Sequence, residues 1–599
     1  MAKEAPFDIN RLLSSIQNDR RFLKPYREKR VSAVSRFVGT NWSDDAAIKA
    51  QPVNLISLFV EVVARQLIPK NPRFDISTFQ RENKPAVGTM KQWVNQKIED
   101  IDLAQTLRRA RVDGLFSLGI IKVALSTPAD SGRYTWKMNA GEPFAEVVDL
   151  DDFFYQTRMR DFNQSGYMGH FYSCPLDIIR DDSRNYSKAR KDLVPSEHKQ
   201  TNWDGDDRID VLGGMPYSID NSDFEDMVDL CEVYVARHKL VYTFTRDQVE
   251  AASGRGDGDG KLEPLRVQNW IGPDKGPYHI LGDMVVPGNA MPKAKVMDLI
   301  ELHDAANHAM RKLMNQAERL KSILATQGQD EDVDRARKEN DGGVCRTSGP
   351  NLPKETTYGG PKQELMVASQ LFQEQFSKHA GNLETMGGLS PQAGTLGQER
   401  LLAENSNRAI ADLQGNTITF VQEVGKALCW YWWNDPFKVM RVKLPVSQGI
   451  EIERRLTPQK RSQTKWEDLN IKINPFSMQA QTPSSKLQFI IETVTKLALP
   501  MMPILQKDNI SMDASRLFEL IGELGDSPEL LEIFTVRESP AQQTESETSG
   551  EAPPMPQETT RNYNRTSQST ATGPGQNKMR MTALMGMNPG GSPNGNGEA

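Results

Sequence analysis

Apolar positions between residues 293 and 324 recur with a helical period. Leu299, Ala306, Met310, Leu313, Ala317, Leu320 and Leu324 gather on one side of a helical wheel, as a buried stripe does. The opposite side carries His308, Arg311, Lys312, Asn315 and Arg319. Asp298, Glu301 and Asp304 load the first turns with acid, which suits the positive end of a helix dipole. Pro292 precedes the stretch and Gly328 follows it, the usual punctuation of a helix. The pattern predicts one helix over 293–324, roughly 48 Å long at 1.5 Å per residue. That is the length of a strut. Its basic stripe is either a solvated face or a surface turned toward a polyanion.

The same reading extends along the chain. Residues 7–37 form a basic amphipathic helix, with Arg11, Arg20, Arg21, Lys24, Arg27, Lys29 and Arg30 interleaved with Leu12, Leu13, Ile16, Phe22 and Leu23. A solvated helix face accounts for this run, and a nucleic-acid arm is the sharper alternative. Residues 52–68 read as a buried helix, 73–76 as a strand and 89–116 as a single helix. Gly119 turns the chain into a strand, Ile120 to Leu125, with 134–138 as its hairpin partner. Short strands follow at 146–150, 167–172, 232–236 and 240–244, interrupted by a charged surface insertion at about 181–229. Beyond the rod come a Gly/Pro-rich segment (327–362), a helix (364–379) and a glycine-studded loop from Gly381. A long helix then ends in Trp430-Tyr431-Trp432-Trp433. Strands at 437–443 and 451–456 and helices at 487–497 and 514–534 complete the ordered part. From about Glu538 the chain is Ser, Thr, Gln, Pro, Gly and Asn, too poor in apolar groups to offset the entropy of ordering, so a disordered tail is expected.

Composition narrows the function. The 599 residues carry a net charge of −6 and only 38% hydrophobic residues. Such a chain is not a generally basic nucleic-acid binder, so any contact with nucleic acid is local or weak. Four scattered cysteines (Cys174, Cys231, Cys345, Cys429) make no CxxC, which fits a reducing cytoplasm better than a disulfide framework or a zinc site. No run reaches the ~18 apolar residues of a membrane span, and the first residues lack a signal-peptide core, so no membrane partner is expected.

Catalytic chemistry finds little support. Asp257-Gly258-Asp259-Gly260 is followed by Lys261 and Leu262, which breaks the calcium-loop pattern. There is no GxxxxGK[ST], and His303 and His308 stand five apart, not the three or four of helical metal ligation. Neither a cofactor nor a metal is expected. One enzymatic alternative stays open: a metal-dependent nuclease holding Mg²⁺ with Asp149, Asp151 and Asp152. A non-viral helical scaffold is another.

Several pieces, in order, resemble the head-to-tail portal proteins of tailed bacteriophages. They are Asn54-Leu55-Ile56 with Pro69 and Pro72, then Asp113-Gly114-Leu115-Phe116-Ser117-Leu118-Gly119 leading into Lys122-Val123, then Asp149-Leu150-Asp151-Asp152-Phe153-Phe154-Tyr155. Gly276-Pro277-Tyr278-His279-Ile280-Leu281-Gly282, Val286-Pro287-Gly288-Asn289, Asn382-Leu383, Met386-Gly387-Gly388 and Thr395-Leu396-Gly397-Gln398-Glu399 continue the series. The likeness covers about residues 7–534.

It implies an α+β, mainly helical subunit that closes into a ring, typically of twelve copies, at a capsid vertex of the virion. The ring would be assembled in the host cytoplasm. The implied order is a wing (1–292, with the insertion), a first stem helix (293–326), a clip (327–363) and a second stem helix (364–381). A channel loop (382–397), a spine helix (398–434), a wing β segment (435–482), a crown (483–537) and the tail (538–599) follow. Double-stranded DNA would pass through the ring during packaging and ejection. The terminase motor and a tail adaptor would dock on the clip, through Arg346 and Lys354, and the major capsid or scaffold protein would hold the rim. The stripe His308, Arg311, Lys312, Asn315, Arg319 would line the channel. The channel loop would present Thr385, Met386, Gly387, Gly388, Leu389, Ser390, Gln392 and Thr395. This loop holds no Lys or Arg between Asn382 and Gln398, and the glycines Gly381, Gly387, Gly388, Gly394 and Gly397 leave it free to move. Weak contact suits a duplex that must slide, since each tight phosphate contact adds a counterion-release term.

Overall fold

The computed structural model describes residues 7–39, 53–67, 72–128, 130, 139–196, 225–251, 262–325, 354–358, 360–383, 396–447, 450–474 and 492, with the side chains of 321–325, 354–358, 396–409, 444–447 and 450–452 left out. All belong to one unit, Met1–Val536; the other unit, Arg537–Ala599, lies outside the described residues. So do the loop at 257–260, nearly all of the helices expected at 487–497 and 514–534, and the tail.

Helix α1 (Ile9–Val38) starts where Asp8 accepts a hydrogen bond from the Asn10 amide, and stops at Gly39 in the left-handed region (φ 91°). Its Leu12, Leu13, Ile16 and Leu23 are buried. Three of its eight basic residues are internal pegs. Arg20 lies over the Phe171 ring at 4.4 Å, Arg27 donates to the Leu150 and Phe153 carbonyls, and Arg30 pairs with Asp149. Arg11, Arg21, Lys24 and Lys29 are exposed, so the helix is an amphipathic strap with a thin basic face.

Helix α2 (Leu55–Leu67) and strand β1 (Phe74–Thr78) fall where the apolar pattern put them. The single helix expected over 89–116 is two, α3 (Lys84–Asp100) and α4 (Leu103–Phe116), split at Asp102 with φ 50°. Asp is among the few residues that tolerate this conformation. Both helices bury their apolar faces in one cluster, through Trp93, Val94 and Ile98 on α3 and Leu103 and Leu107 on α4, so the apolar period alone does not reveal the break.

Strand β2 (Gly119–Leu125) is central in a three-stranded antiparallel sheet, β3-β2-β9, with β3 at Pro143–Val147 and β9 at Tyr278–Leu281. The partner expected at 134–138 lies outside the described residues, and β3 takes the hairpin position instead. A five-stranded antiparallel sheet follows: β4 (Phe153–Tyr155), β5 (Tyr167–Pro175), β6 (Met227–Val235), β7 (Leu240–Thr245) and β8 (Arg266–Asn269). Two polar contacts bridge the sheets: Lys122 to Glu232 at 2.8 Å and His170 Nδ1 to the Tyr278 hydroxyl at 2.8 Å. Gly119 sits so close to α4 that a Cβ would lie 2.1 Å from the Ala110 carbonyl oxygen. Gly119→Ala should therefore cost about 1–3 kcal/mol of stability, as overpacking does, measured by urea denaturation.

Short helices α5 (Leu176–Asp181) and α6 (Arg246–Ala251) edge the larger sheet, and β10 (Met284–Val286) pairs with β11 (Asn289–Lys293). Next come α7 (Ile300–Glu318), β12 (Lys321–Ala325), β13 (Lys354–Tyr358), α8 (Gln363–His379) and α9 (Leu396–Asn434). The last elements are β14 (Met440–Ser447), β15 (Ile450–Leu456), α10 (Pro458–Arg461) and β16 (Leu469–Ile473), which pairs with β1.

At 39 residues α9 is about 58 Å long. Its aromatic end is core: Tyr431, Trp432 and Trp433 are buried, and Trp432 meets Trp93 edge-on at 5.5 Å. Buried Arg461 donates to the carbonyls of Trp432, Asp435 and Lys438, meeting acceptors that a helix end otherwise leaves unpaired. The architecture is mixed α+β, a two-sheet base from which the α7–α8 pair and α9 extend the helical content.

Candidate assembly surface

Where one helix is expected over 293–324, the structure has three elements. Residues up to Lys293 pair as β11, and a 3-10 turn (Lys295–Asp298) leads into α7. After Glu318 the chain turns, and β12 pairs antiparallel with β13, Lys321 opposite Tyr358 and Ala325 opposite Lys354. The rod is thus 19 residues, about 28 Å. At the C-terminal end a strand partner distant in sequence outcompetes local helix propensity, which no local period reports; at the N-terminal end a tight hairpin with the adjacent β10 takes the chain up to Lys293.

The root of α7 is well anchored. Leu299, Ala306 and Ala309 are buried, and Leu299 and Ala306 share a cluster with Phe376 and Ala380 of the α8 end and Ile410 of α9. Arg36 of α1 makes a bidentate pair with Asp304, at 2.9 and 3.0 Å. His303 and Asn307 lie on the buried face, where the Asn307 Oδ1 accepts from the Val53 amide at 3.1 Å. Burial pushes His303 down to about 4, so it is neutral at physiological pH. An acidic first turn, read as a dipole partner, is therefore in part a docking point for α1.

The predicted channel stripe does not stay together. His308, Lys312 and Arg319 are exposed, Asn315 is half-buried, and Arg311 is turned inward and buried. Ala317 and Leu320, assigned to the buried side, are exposed. Of the clip residues, Lys354 begins β13 and Arg346 lies outside the described residues. Thr385, Met386, Gly387, Gly388, Leu389, Ser390, Gln392 and Thr395 lie outside them too. Gly381 ends a helix rather than loosening a loop. With φ 97° it caps α8, its amide bonding Lys378 O and the Asn382 amide bonding Ser377 O.

Sequence reasoning missed what lies beyond the root. Met314 on α7, Leu320 just past its end, and Met366, Val367 and Leu371 on α8 are each 43–58% exposed. Five large apolar side chains thus stand in water on one helical pair and its turn. Val367 and Leu371 are four apart and share a helix face. Covering each is worth on the order of 1 kcal/mol. Polar neighbours at 363, 364, 370 and 374 dilute the stripe in the sequence.

Two of the acidic trio, Asp149 and Asp151, have an internal counterion. Arg30 pairs with both carboxylate oxygens of Asp149 and lies 3.5 Å from Asp151 and 3.7 Å from Asp113. A guanidinium occupies the place that the nuclease reading gives to Mg²⁺. Among the described residues no group of three or more His, Cys, Asp or Glu is placed to hold a metal ion, and none of the described helices is long and apolar enough to cross a membrane.

Burial pushes Asp113 up to about 6, with Arg30 pulling the other way and Asp149 and Asp151 adding to the rise. The folded chain binds this proton more tightly than the unfolded one. The resulting stability is complete below pH 4 and is lost as pH rises through about 6. Asp113→Asn should be more stable than the parent by about 1–2 kcal/mol above pH 6, with the gap closing below pH 5. Paired denaturation curves across that range check it.

No protein-family model matches the chain, and no curated protein sequence matches it.

Proposed function

We propose that this chain is the subunit of a ring-shaped portal, closed by contact between copies, through which double-stranded DNA enters and leaves a viral capsid. One observation carries the reading: the exposed apolar side chains along α7 and α8, which the isolated subunit does not cover. Several large apolar side chains left exposed on one helical pair are what an association site presents. A head-to-tail contact repeated by rotation covers it and leaves a hole on the axis.

The order of elements supports the same reading. An α/β base, a helix, a paired-strand segment, a returning helix and one long helix follow the wing, stem, clip, stem and spine order of the resemblance. In this reading His308, Lys312 and Arg319 are the residues left to meet DNA. The terminase, tail adaptor and capsid or scaffold protein remain the proposed partners. Electron micrographs of the purified protein test the proposal. Rings with a central opening are expected; compact single subunits at every concentration would overturn it.

A further inference from the structure

Strand β3 is an edge of its sheet, and its outer side opens into a groove. The hydrogen-bond parity of β3 follows from its two ends. The Val148 amide donates to Ile120 O at 3.0 Å and the Ser126 amide donates to Glu142 O at 2.9 Å. In an antiparallel pair the bonded residues alternate, so 142, 144, 146 and 148 bond toward β2. Ala145 and Val147 therefore turn their N–H and C=O outward, where no backbone or side-chain partner receives them among the described residues.

The cavity on that side has a volume of about 670 Å³ and is lined by every residue from Glu142 to Val147. A cavity over a sheet face would meet alternate residues only; one that meets consecutive residues runs along the edge. Spread over the roughly 17 Å of a five-residue strand, this volume has a cross-section of about 40 Å². A strand occupies about 4.8 Å by 10 Å. The opposite wall is the α3–α4 turn, with Ile101 and Leu103, and Trp432 adds an aromatic surface. The lining charges nearly balance, three basic (Lys97, Arg109, Lys438) against four acidic (Asp100, Asp102, Glu142, Glu146), and two pairs are in contact: Lys97 with Asp100 at 2.6 Å and Lys438 with Glu142 at 3.0 Å.

We infer that this groove binds an extended, uncharged segment of a partner polypeptide as an added strand on β3. Only a polypeptide backbone offers donors and acceptors at the strand repeat, as Ala145 and Val147 require. Nearly balanced lining charges give no net attraction for a charged segment, and Ile101, Leu103 and Trp432 favour small or apolar residues at alternate positions. Walls on both sides admit a lone strand and keep out the edge of another folded sheet.

The test uses full-length protein and a fluorescent acetyl-Thr-Val-Ser-Val-Thr-amide peptide, followed by anisotropy. Two further peptides carry N-methyl groups, one on the valines and the other on the hydroxyl residues. An added strand bonds along one edge only, so one methylated peptide should bind about tenfold or more weakly while the other binds as the parent does. Ala145→Pro removes an outward donor without touching the β2 ladder, and should weaken the parent peptide to the same extent. No binding at millimolar peptide, or equal binding by both methylated forms, would overturn the inference. So would a smaller particle mass in Ala145→Pro, since the groove would then hold another copy of this chain. The peptide assay reads one subunit or an assembly alike, so its failure leaves the ring proposal untouched.

Discussion

Arg111→Met should lower stability by about 3–5 kcal/mol. Arg111 of α4 and Asp283, between β9 and β10, pair at 2.6 and 3.2 Å with both side chains almost wholly buried (1% and 2% exposed). Methionine fills much of the space and leaves the carboxylate buried without its counterion, which is where the cost lies. The Asp283 carbonyl also accepts from Asn416 of α9, so the pair sits where α4, the β9–β10 connection and the long helix meet. Urea denaturation followed by tryptophan fluorescence measures the loss. The double variant Arg111→Met with Asp283→Asn should recover part of it, because no bare charge remains. A loss below about 1 kcal/mol in the single variant would show that water reaches the pair.

Val367→Glu with Leu371→Glu should abolish assembly and leave the subunit folded. Both residues are about half exposed on α8, and α8's buried contacts run through Ser369 and Phe376 on other faces. Glutamate at either position costs the isolated subunit little. In a closed contact it buries a charge with no partner, a penalty of several kcal/mol per site. Sedimentation should show a shift from a large particle to single subunits with unchanged far-UV circular dichroism. Particles of parental size would place the contact elsewhere on the molecule.

What the sequence discloses here follows the range of the force involved. Helices α1 and α8 and strands β5 to β7 lie within a few residues of where their period places them, because amphipathic period is a local property. Apart from the break at Asp102 and the β10–β11 hairpin, the failures are non-local. β2 finds one neighbour at 143–147 and the other more than 150 residues away at 278–281. The far end of the expected rod went to pairing with the strand at 354–358. Arg311 turned inward although His308, Lys312 and Arg319 of the same stripe remain in water. Asp149 and Asp151 read as a cation site until α1 brought Arg30 to them, 119 and 121 positions away in the chain. A period says which face is apolar. It does not say whether that face meets its own chain or another copy, and the proposed function turns on that distinction at α8.

Native mass spectrometry of the assembled particle tests the central claim most directly. The account predicts a closed species at an integer multiple of 67.3 kDa, with twelve copies the expected number. A mass that stays at one subunit from micromolar to millimolar concentration would contradict it.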